Sequence, residues 1–144
     1  MKLKDLIAGI PIRSLQGNPE VQVSGISYDS RRAKPGDLFV CIPGTKDDGH
    51  KYAKHAGERG VVAFLAGREV EAEAHKAVVV VDEPRLEMGK LASRLAGDPS
   101  RKMEIIGITG TSGKTTISYL IDSVSRGQGQ ECGVIGTISY RWKE

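Results

Sequence analysis

The sequence predicts an α/β fold built around a mostly parallel sheet. Over its 144 residues, short apolar segments alternate with segments of helical periodicity, an order typical of parallel α/β sheets. The stretch 38–42 is apolar at every position, which indicates a strand covered on both faces. A glycine-rich stretch at 109–116 lies between a predicted strand and a predicted helix, and it indicates a second α/β unit.

The chain begins with a predicted helix followed by a predicted strand. Over residues 3–10 the apolar residues recur with helical spacing, and Pro11 ends this pattern. Over 21–28 apolar and polar residues alternate, as in a strand, but the alternation slips at Gly25. We therefore expect a bulge or bend at that glycine. A Pro-Gly-Asp turn at 35–37 leads into the buried strand.

Predicted helices and strands continue to alternate after the buried strand. Asp48 is a suitable N-cap for a helix over about 50–59, and Gly60 is suited to end it. Two more apolar segments, 61–65 and 77–81, are predicted strands. Together these elements form a sheet with helical connections.

The last helix of the first domain begins near Pro84, because proline is favoured in the first helical turn. Its expected buried stripe consists of Met88, Leu91, Ala92 and Leu95. A Gly-Asp-Pro-Ser segment at 97–100 is predicted to end this helix and begin a linker. The first domain is therefore predicted over residues 1–101.

The second predicted domain, 102–144, has room for about one βαβ unit, which takes ~30 residues or more. It consists of a strand at 104–108, a helix from Ile117 to Gly127 and a strand at 134–138. We expect these residues to be the truncated start of a longer domain. Apolar edges without partners would then favour self-association or local disorder after Met103.

Composition narrows the functional classes. The net charge of +3 is mild and only 5% of residues are aromatic, so we expect no nucleic-acid partner. No apolar run approaches the ~18 residues of a membrane span. The two cysteines, Cys41 and Cys132, form no disulfide framework and favour a reducing cytosol. His50 and His55 are poorly spaced for a shared metal, so no zinc site is expected.

The stretch 106–116 has the features of a phosphate-binding loop. Gly110 and Gly113 lack side chains, so successive backbone N–H groups can face an anion, and the following helix adds positive potential at its N-terminus. Lys114 supplies a mobile charge for the β- and γ-phosphates, and the Thr115 hydroxyl can bind Mg²⁺.

This loop differs from the common P-loop pattern. Ile108 occupies the position of the first glycine in that pattern, so the loop is tighter. We predict that it binds ATP or another nucleoside triphosphate through Gly110, Thr111, Ser112, Gly113, Lys114, Thr115 and Thr116. The alternative is a plain glycine turn with a surface lysine.

The string Gly-Thr-Ser-Gly-Lys-Thr-Thr resembles the short P-loop of the Mur ligase superfamily, with Ser112 where asparagine is common. Folylpolyglutamate and cyanophycin synthetases share this loop. Upstream, the stretches 28–31, 35–40 and 48–50 resemble the N-terminal domain of the family members that add the third amino acid of the peptidoglycan stem peptide. The resemblance covers essentially the whole chain.

The resemblance implies a site for a uridine nucleotide in the first domain. That domain of the family holds the UDP end of UDP-N-acetylmuramoyl-L-alanyl-D-glutamate. Carried over by motif, Ser30 contacts the nucleotide with Tyr28 beside it, and the stretch Thr45, Lys46 and Asp47 lies against the same ligand. The alternative role of Ser30 is to hold a turn.

The resemblance also implies the reaction. ATP phosphorylates the γ-carboxylate of D-glutamate, and the amino group of meso-diaminopimelate or L-lysine attacks the acyl phosphate. Lys114 would act catalytically and Thr115 would bind Mg²⁺. Such a ligase acts in the bacterial cytoplasm in peptidoglycan synthesis, and thereby in cell shape and division. The family's second-metal ligands and amino-acid-selecting motif are expected beyond Glu144.

Two rival functions stay open at this point. One is another P-loop enzyme, such as a related superfamily ligase or a small-molecule kinase, although a kinase has no need of the upstream domain. The other is a binding module without catalysis. Because no Walker B carboxylate is visible, we expect the 144-residue chain itself to be inactive.

Overall fold

The computed structural model describes residues 1–44, 47–138 and 140–142. The chain divides into two compact units, Met1–Met103 and Glu104–Glu144. Unit 1 contains four parallel strands and an antiparallel edge strand in the order β1-β5-β4-β3-β2. The strands are β1 (Ser14–Gln16), β2 (Gly25–Ser27), β3 (Asp37–Val40), β4 (Ala63–Ala66) and β5 (Ala77–Val80).

Helices cover both faces of this sheet. They are α1 (Leu3–Leu6), α2 (Ala53–Glu58), which continues a 3₁₀ turn at Gly49–Tyr52, and α3 (Pro84–Leu95), which is followed by a 3₁₀ turn at Pro99–Lys102. Alternate residues of β3 pack on opposite faces, as strand geometry requires. Leu38 and Val40 pack with α1 and α3, whereas Phe39 packs on the α2 side against Phe64. The predicted mostly parallel α/β fold is confirmed.

The predicted strand over 21–28 is wrong in its first half. Only Gly25–Ser27 joins the sheet. Val21 and Val23 instead bond to the N-terminal segment, since the Leu3 N–H donates to Val21 O and the Val23 N–H donates to Met1 O. The N-terminus therefore satisfies the backbone that a longer β2 would have paired.

The predicted stripe of α3 is confirmed at three of its four positions: Leu91 is buried, and Met88 and Leu95 pack against the same core. Ala92 is exposed, and Pro84 and Glu87 are buried in addition. The carboxylate of the buried Glu87 is paired through Oε1, which lies 2.8 Å from Lys90 Nζ. Glutamate is normally exposed, so the sequence pattern gave no indication that Glu87 is buried.

Unit 2 contains α4 (Lys114–Gly127) and a hairpin of β6 (Gly133–Ile135) and β7 (Tyr140–Trp142). The predicted strand over 104–108 is wrong: this segment has no regular secondary structure and pairs with no described strand. The strand predicted over 134–138 is shorter and pairs antiparallel with β7, so a parallel βαβ unit does not form. A strand needs a neighbouring strand for its backbone hydrogen bonds, and among the described residues of unit 2 only β6 and β7 pair.

Candidate functional site

The candidate site of unit 1 lies at the carboxyl edge of the parallel strands. In a parallel sheet the loops that follow the strands leave from one edge, and ligands of open α/β sheets bind there. The loop after β2 carries Tyr28 and Ser30, and the loop after β3 carries Asp47. These sequence-predicted residues therefore lie on loops of the same edge. Thr45 and Lys46, predicted with them, fall outside the described residues.

The loop after β2 is held by its own acidic residue. Asp29 accepts hydrogen bonds from the Arg31 backbone N–H at 3.0 Å and from two guanidinium nitrogens at 2.9 Å each. These contacts with Arg31 lower the pKa of Asp29 to about 2. Asp29 thus braces the loop, while Tyr28 beside it is exposed.

Ser30 is buried, and its hydroxyl is bonded across to α2. Its Oγ lies 3.0 Å from Nδ1 of His55, and only 6% of the residue is exposed. Sequence reasoning had considered His55 only as a metal ligand and missed this contact. No spacing rule connects residues 25 positions apart in a loop and a helix.

The loop after β3 carries a second polar cluster. Asp47 accepts a hydrogen bond from the Tyr52 hydroxyl, and Lys51 Nζ lies 3.3 Å from its Oδ1. The bond from Tyr52, together with that from the Asp48 N–H, lowers the pKa of Asp47. Asp47 and Tyr52 are both exposed, so a polar surface faces solvent beside this loop.

The Asp-Gly-His stretch at 48–50 forms a clamp rather than a solvent-facing site. Asp48 Oδ1 accepts from the His50 backbone N–H at 3.0 Å and lies 2.5 Å from His50 Nδ1. These bonds hold the pKa of Asp48 well below its usual range. Gly49 is needed because a Cβ there would lie 2.7 Å from the Ile42 backbone nitrogen.

This clamp reaches the end of β4. The Gly67 N–H donates to His50 Nε2 at 3.1 Å, and Arg68 Nη2 lies 2.6 Å from Asp48 Oδ2. Because the Gly67 N–H is a donor, Nε2 must accept, and the ring proton therefore lies on Nδ1 facing Asp48. The clamp of Asp48, His50, Gly67 and Arg68 thus joins the loops that follow β3 and β4.

The candidate site of unit 2 is the glycine-rich loop before α4. Gly110 and Gly113 adopt φ angles of 144° and 78°, which favour glycine. Lys114 begins α4, and its Nζ donates to Gly110 O at 2.5 Å. The lysine ammonium is therefore folded back over the loop.

These residues fit a polyphosphate. Thr111, Ser112, Thr115 and Thr116 are exposed, and no described side chain caps the N-terminus of this 14-residue helix. The free N–H groups of the first helical turn, the positive end of the helix dipole and the Lys114 ammonium form a donor set suited to an anion. The structure thus brings the predicted loop residues together at one helix N-terminus.

The described ranges also bear on metal sites, membrane-spanning helices and reactive cysteines. They contain no group of three or more His, Cys, Asp or Glu side chains suited to a metal ion. No helix within them is both long and apolar enough to cross a membrane. Cys41 and Cys132 are free, and burial raises the pKa of the Cys41 thiol to about 12, so Cys41 is packed core.

Comparison with known proteins identifies relatives along the whole chain. A family model described as "Mur ligase family, catalytic domain" matches residues 22–97. A protein from Caldanaerobacter subterraneus named UDP-N-acetylmuramoyl-L-alanyl-D-glutamate--2,6-diaminopimelate ligase is 41% identical over 96% of this chain. A Listeria monocytogenes protein of the same name is 40% identical over 98% of the chain. The chain spans 28% of the length of both relatives.

A solved structure agrees with these relatives. It is titled as the structure of a UDP-N-acetylmuramoyl-L-alanyl-D-glutamate--2,6-diaminopimelate ligase and superimposes with a TM-score of 0.74 at 26% identity. The alignment covers 99% of this chain and 28% of that one. The similarity therefore extends through both units, each taken by itself.

Proposed function

The chain belongs to the Mur ligase family, and we propose that it carries two parts of an ATP-dependent amide ligase. Residues 1–101 are the domain that binds the UDP end of the substrate, and residues 102–144 begin the central ATP-binding domain. The observation that carries this proposal is the family match over 22–97, a range that includes the loops after β2 and β3. The phosphate-compatible loop before α4 supports it independently.

The proposed substrates are UDP-N-acetylmuramoyl-L-alanyl-D-glutamate and a diamino acid. The names of the curated relatives favour 2,6-diaminopimelate over lysine as the amino acid. In the reaction the γ-carboxylate of D-glutamate and an amino group form an amide, while ATP is converted to ADP and phosphate. This reaction is a step of peptidoglycan synthesis, and we assign the protein to the bacterial cytoplasm as part of the same proposal.

In unit 1, we assign the uridine-nucleotide end to Tyr28, Ser30, Thr45, Lys46 and Asp47. Tyr28 and Asp47 offer an exposed ring and carboxylate, and Ser30 offers a hydroxyl whose Oγ is held by contact with His55. Hydroxyl, amide and carboxylate groups can satisfy the polar edges of uracil and ribose. The hydroxyl of Ser30 contacts His55 on α2 instead of a backbone group of its own turn, and its remaining hydrogen-bonding capacity could serve a ligand.

In unit 2, Gly110–Thr116 would hold the phosphates of Mg²⁺-ATP, which supplies the phosphoryl group that activates the carboxylate. The backbone N–H groups of the loop would bind phosphate oxygens, and the Thr115 hydroxyl would ligate Mg²⁺. Lys114 would leave its bond to Gly110 O and neutralise charge on the phosphates. This lysine is therefore the proposed catalytic residue within the chain.

The test is amide chemical-shift mapping of the ¹⁵N-labelled chain with two ligands in separate titrations. UDP-N-acetylmuramoyl-L-alanyl-D-glutamate should shift the resonances of Tyr28, Ser30 and Asp47, and Mg²⁺-ATP should shift those around Gly110 and Lys114. The Lys114→Ala variant should lose the second response and keep the first. A response to ATP alone would favour another P-loop enzyme, and a response to the UDP compound alone would favour a non-catalytic binding module.

A further inference from the structure

We propose that His55 is a positioning residue that orients the Ser30 hydroxyl toward the uridine-nucleotide end of the substrate. This inference rests on the proposed function, and it adds a residue that neither the sequence motifs nor the family resemblance singled out. His55 lies on α2, whereas Ser30 lies in the loop after β2, and the two side chains meet at 3.0 Å.

The burial of Ser30 makes this contact important for its hydroxyl. With 6% of the residue exposed, water has little access to complete its hydrogen bonds. A serine hydroxyl has one donor hydrogen and two acceptor lone pairs, and it rotates to suit its partners. The contact with His55 Nδ1 takes up one of these hydrogen-bonding directions, whichever of the two groups donates, and holds the Oγ atom beside α2. A ligand would therefore meet a hydroxyl whose partner and position are already set.

The helix that carries His55 is itself held in place. Ala53 and Ala56 are buried against the sheet. Arg59 Nε donates to Ala33 O at 3.0 Å, which ties the end of the helix to the loop after β2. The buried Lys76 Nζ, in the loop before β5, donates to Gly57 O at 2.7 Å. Because α2 is anchored to the sheet and to two loops, the backbone of His55 has a fixed position, from which its exposed imidazole contacts Ser30.

His55 acts through Ser30 rather than on the reacting atoms. The proposed bond formation occurs at the D-glutamate end of the substrate, whereas Ser30 is assigned to the uridine end. Loss of the imidazole should therefore weaken binding of the substrate by removing a preorganised hydroxyl. One hydrogen bond of this kind corresponds to about 3–10-fold in the dissociation constant.

The experiment measures the Kd of UDP-N-acetylmuramoyl-L-alanyl-D-glutamate by calorimetry for the chain and five variants. His55→Leu and Ser30→Ala should each weaken binding by about 3–10-fold. His55→Asn should bind within about twofold of the parent chain, because its amide reaches the position of Nδ1 and restores a partner. The double variant should bind no more weakly than Ser30→Ala alone, since the two residues act as one unit.

Controls separate positioning from folding. His75→Leu, at an exposed histidine on another loop, should leave the Kd unchanged. Urea unfolding midpoints of all variants show whether a loss of affinity follows a loss of stability. The inference is overturned if affinity falls in proportion to stability. It is also overturned if His55→Asn does not restore binding. Additive losses in the double variant, or unchanged binding by His55→Leu while Ser30→Ala binds weakly, overturn it as well. Failure of the parent chain to bind the UDP compound refutes the proposed function itself, which is a distinguishable result.

Discussion

Replacing His50 by alanine should destabilise unit 1 by about 2–4 kcal/mol. The imidazole is 5% exposed, and both of its nitrogens are bonded in the clamp. Its removal leaves the Gly67 N–H without its acceptor, which costs about 1–3 kcal/mol for a buried donor. The emptied ring volume adds a cavity. Asp48 keeps the His50 backbone N–H and Arg68 as partners, so its charge is not left unpaired.

The measurement is urea unfolding of the parent chain and the His50→Ala variant, followed by far-ultraviolet circular dichroism. Tryptophan fluorescence would not report on unit 1, because the single tryptophan, Trp142, lies in unit 2. Each kcal/mol should also lower the melting temperature by about 4–8 °C for a unit of this size.

A matched control is available in the same unit. The side chain of His75 is 72% exposed, so His75→Ala should change the free energy of unfolding by no more than about 0.5 kcal/mol. If His50→Ala is as mild as this control, the clamp contributes no stability and the reasoning from its hydrogen bonds is refuted.

Four further outcomes are expected. Gly49→Ala should destabilise unit 1 by about 1–3 kcal/mol, because its Cβ would lie 2.7 Å from the Ile42 nitrogen. Gly89→Ala, whose Cβ would have no atom within 4 Å, should stabilise the unit by about 0.5–1 kcal/mol. Equal urea midpoints for the two variants would contradict this. Asp48 has a pKa lowered by folding, so its contribution is present above its unfolded pKa of about 3.9 and is lost as the pH falls further; Asp48→Asn should flatten the acid dependence of the urea midpoint below about pH 4. Sedimentation velocity should show self-association that Ile135→Lys reduces, since Ile135 is 88% exposed, and a monomer at every concentration would argue against it. The 144-residue chain should release no phosphate from ATP above background, and turnover would show that it is catalytically complete.

The centre of unit 1 could be predicted from sequence because its strands are buried on both faces. Strands β3, β4 and β5 are buried at every position. Apart from Asp37 at the start of β3, each therefore appears as an uninterrupted apolar run. The capping role of Asp48 and the helical start at Pro84 were also recognisable, because both depend on neighbouring residues alone.

The edges of the fold could not be predicted in the same way. Strand β1 is three residues long and largely exposed, and its pairing with β5 depends on a partner more than 60 positions away. The segment 104–108 carries a strand pattern but has no ladder to join within the described residues. A periodic pattern indicates what a segment favours, whereas pairing depends on what lies beside it.

The two candidate sites differ in the same respect. The phosphate-binding loop is local, since its glycines, its lysine and its helix N-terminus follow one another along the chain. The clamp and the contact between Ser30 and His55 join residues 17 to 25 positions apart, for which no motif exists. Sequence reasoning therefore identified the loops of unit 1 but not the side chains that hold them.

These contacts bear on how the site in unit 1 would bind. The clamp joins the loops after β3 and β4, and the bond from His55 joins α2 to the loop after β2. Three successive loops at the carboxyl edge are thus fixed by side-chain hydrogen bonds that need no ligand. A site ordered in advance loses less conformational entropy on binding. Substitutions within the clamp should therefore weaken nucleotide binding, even though the clamp side chains contact each other. The Asp-Gly-His stretch thus supports the loops of the site and is not its contact surface.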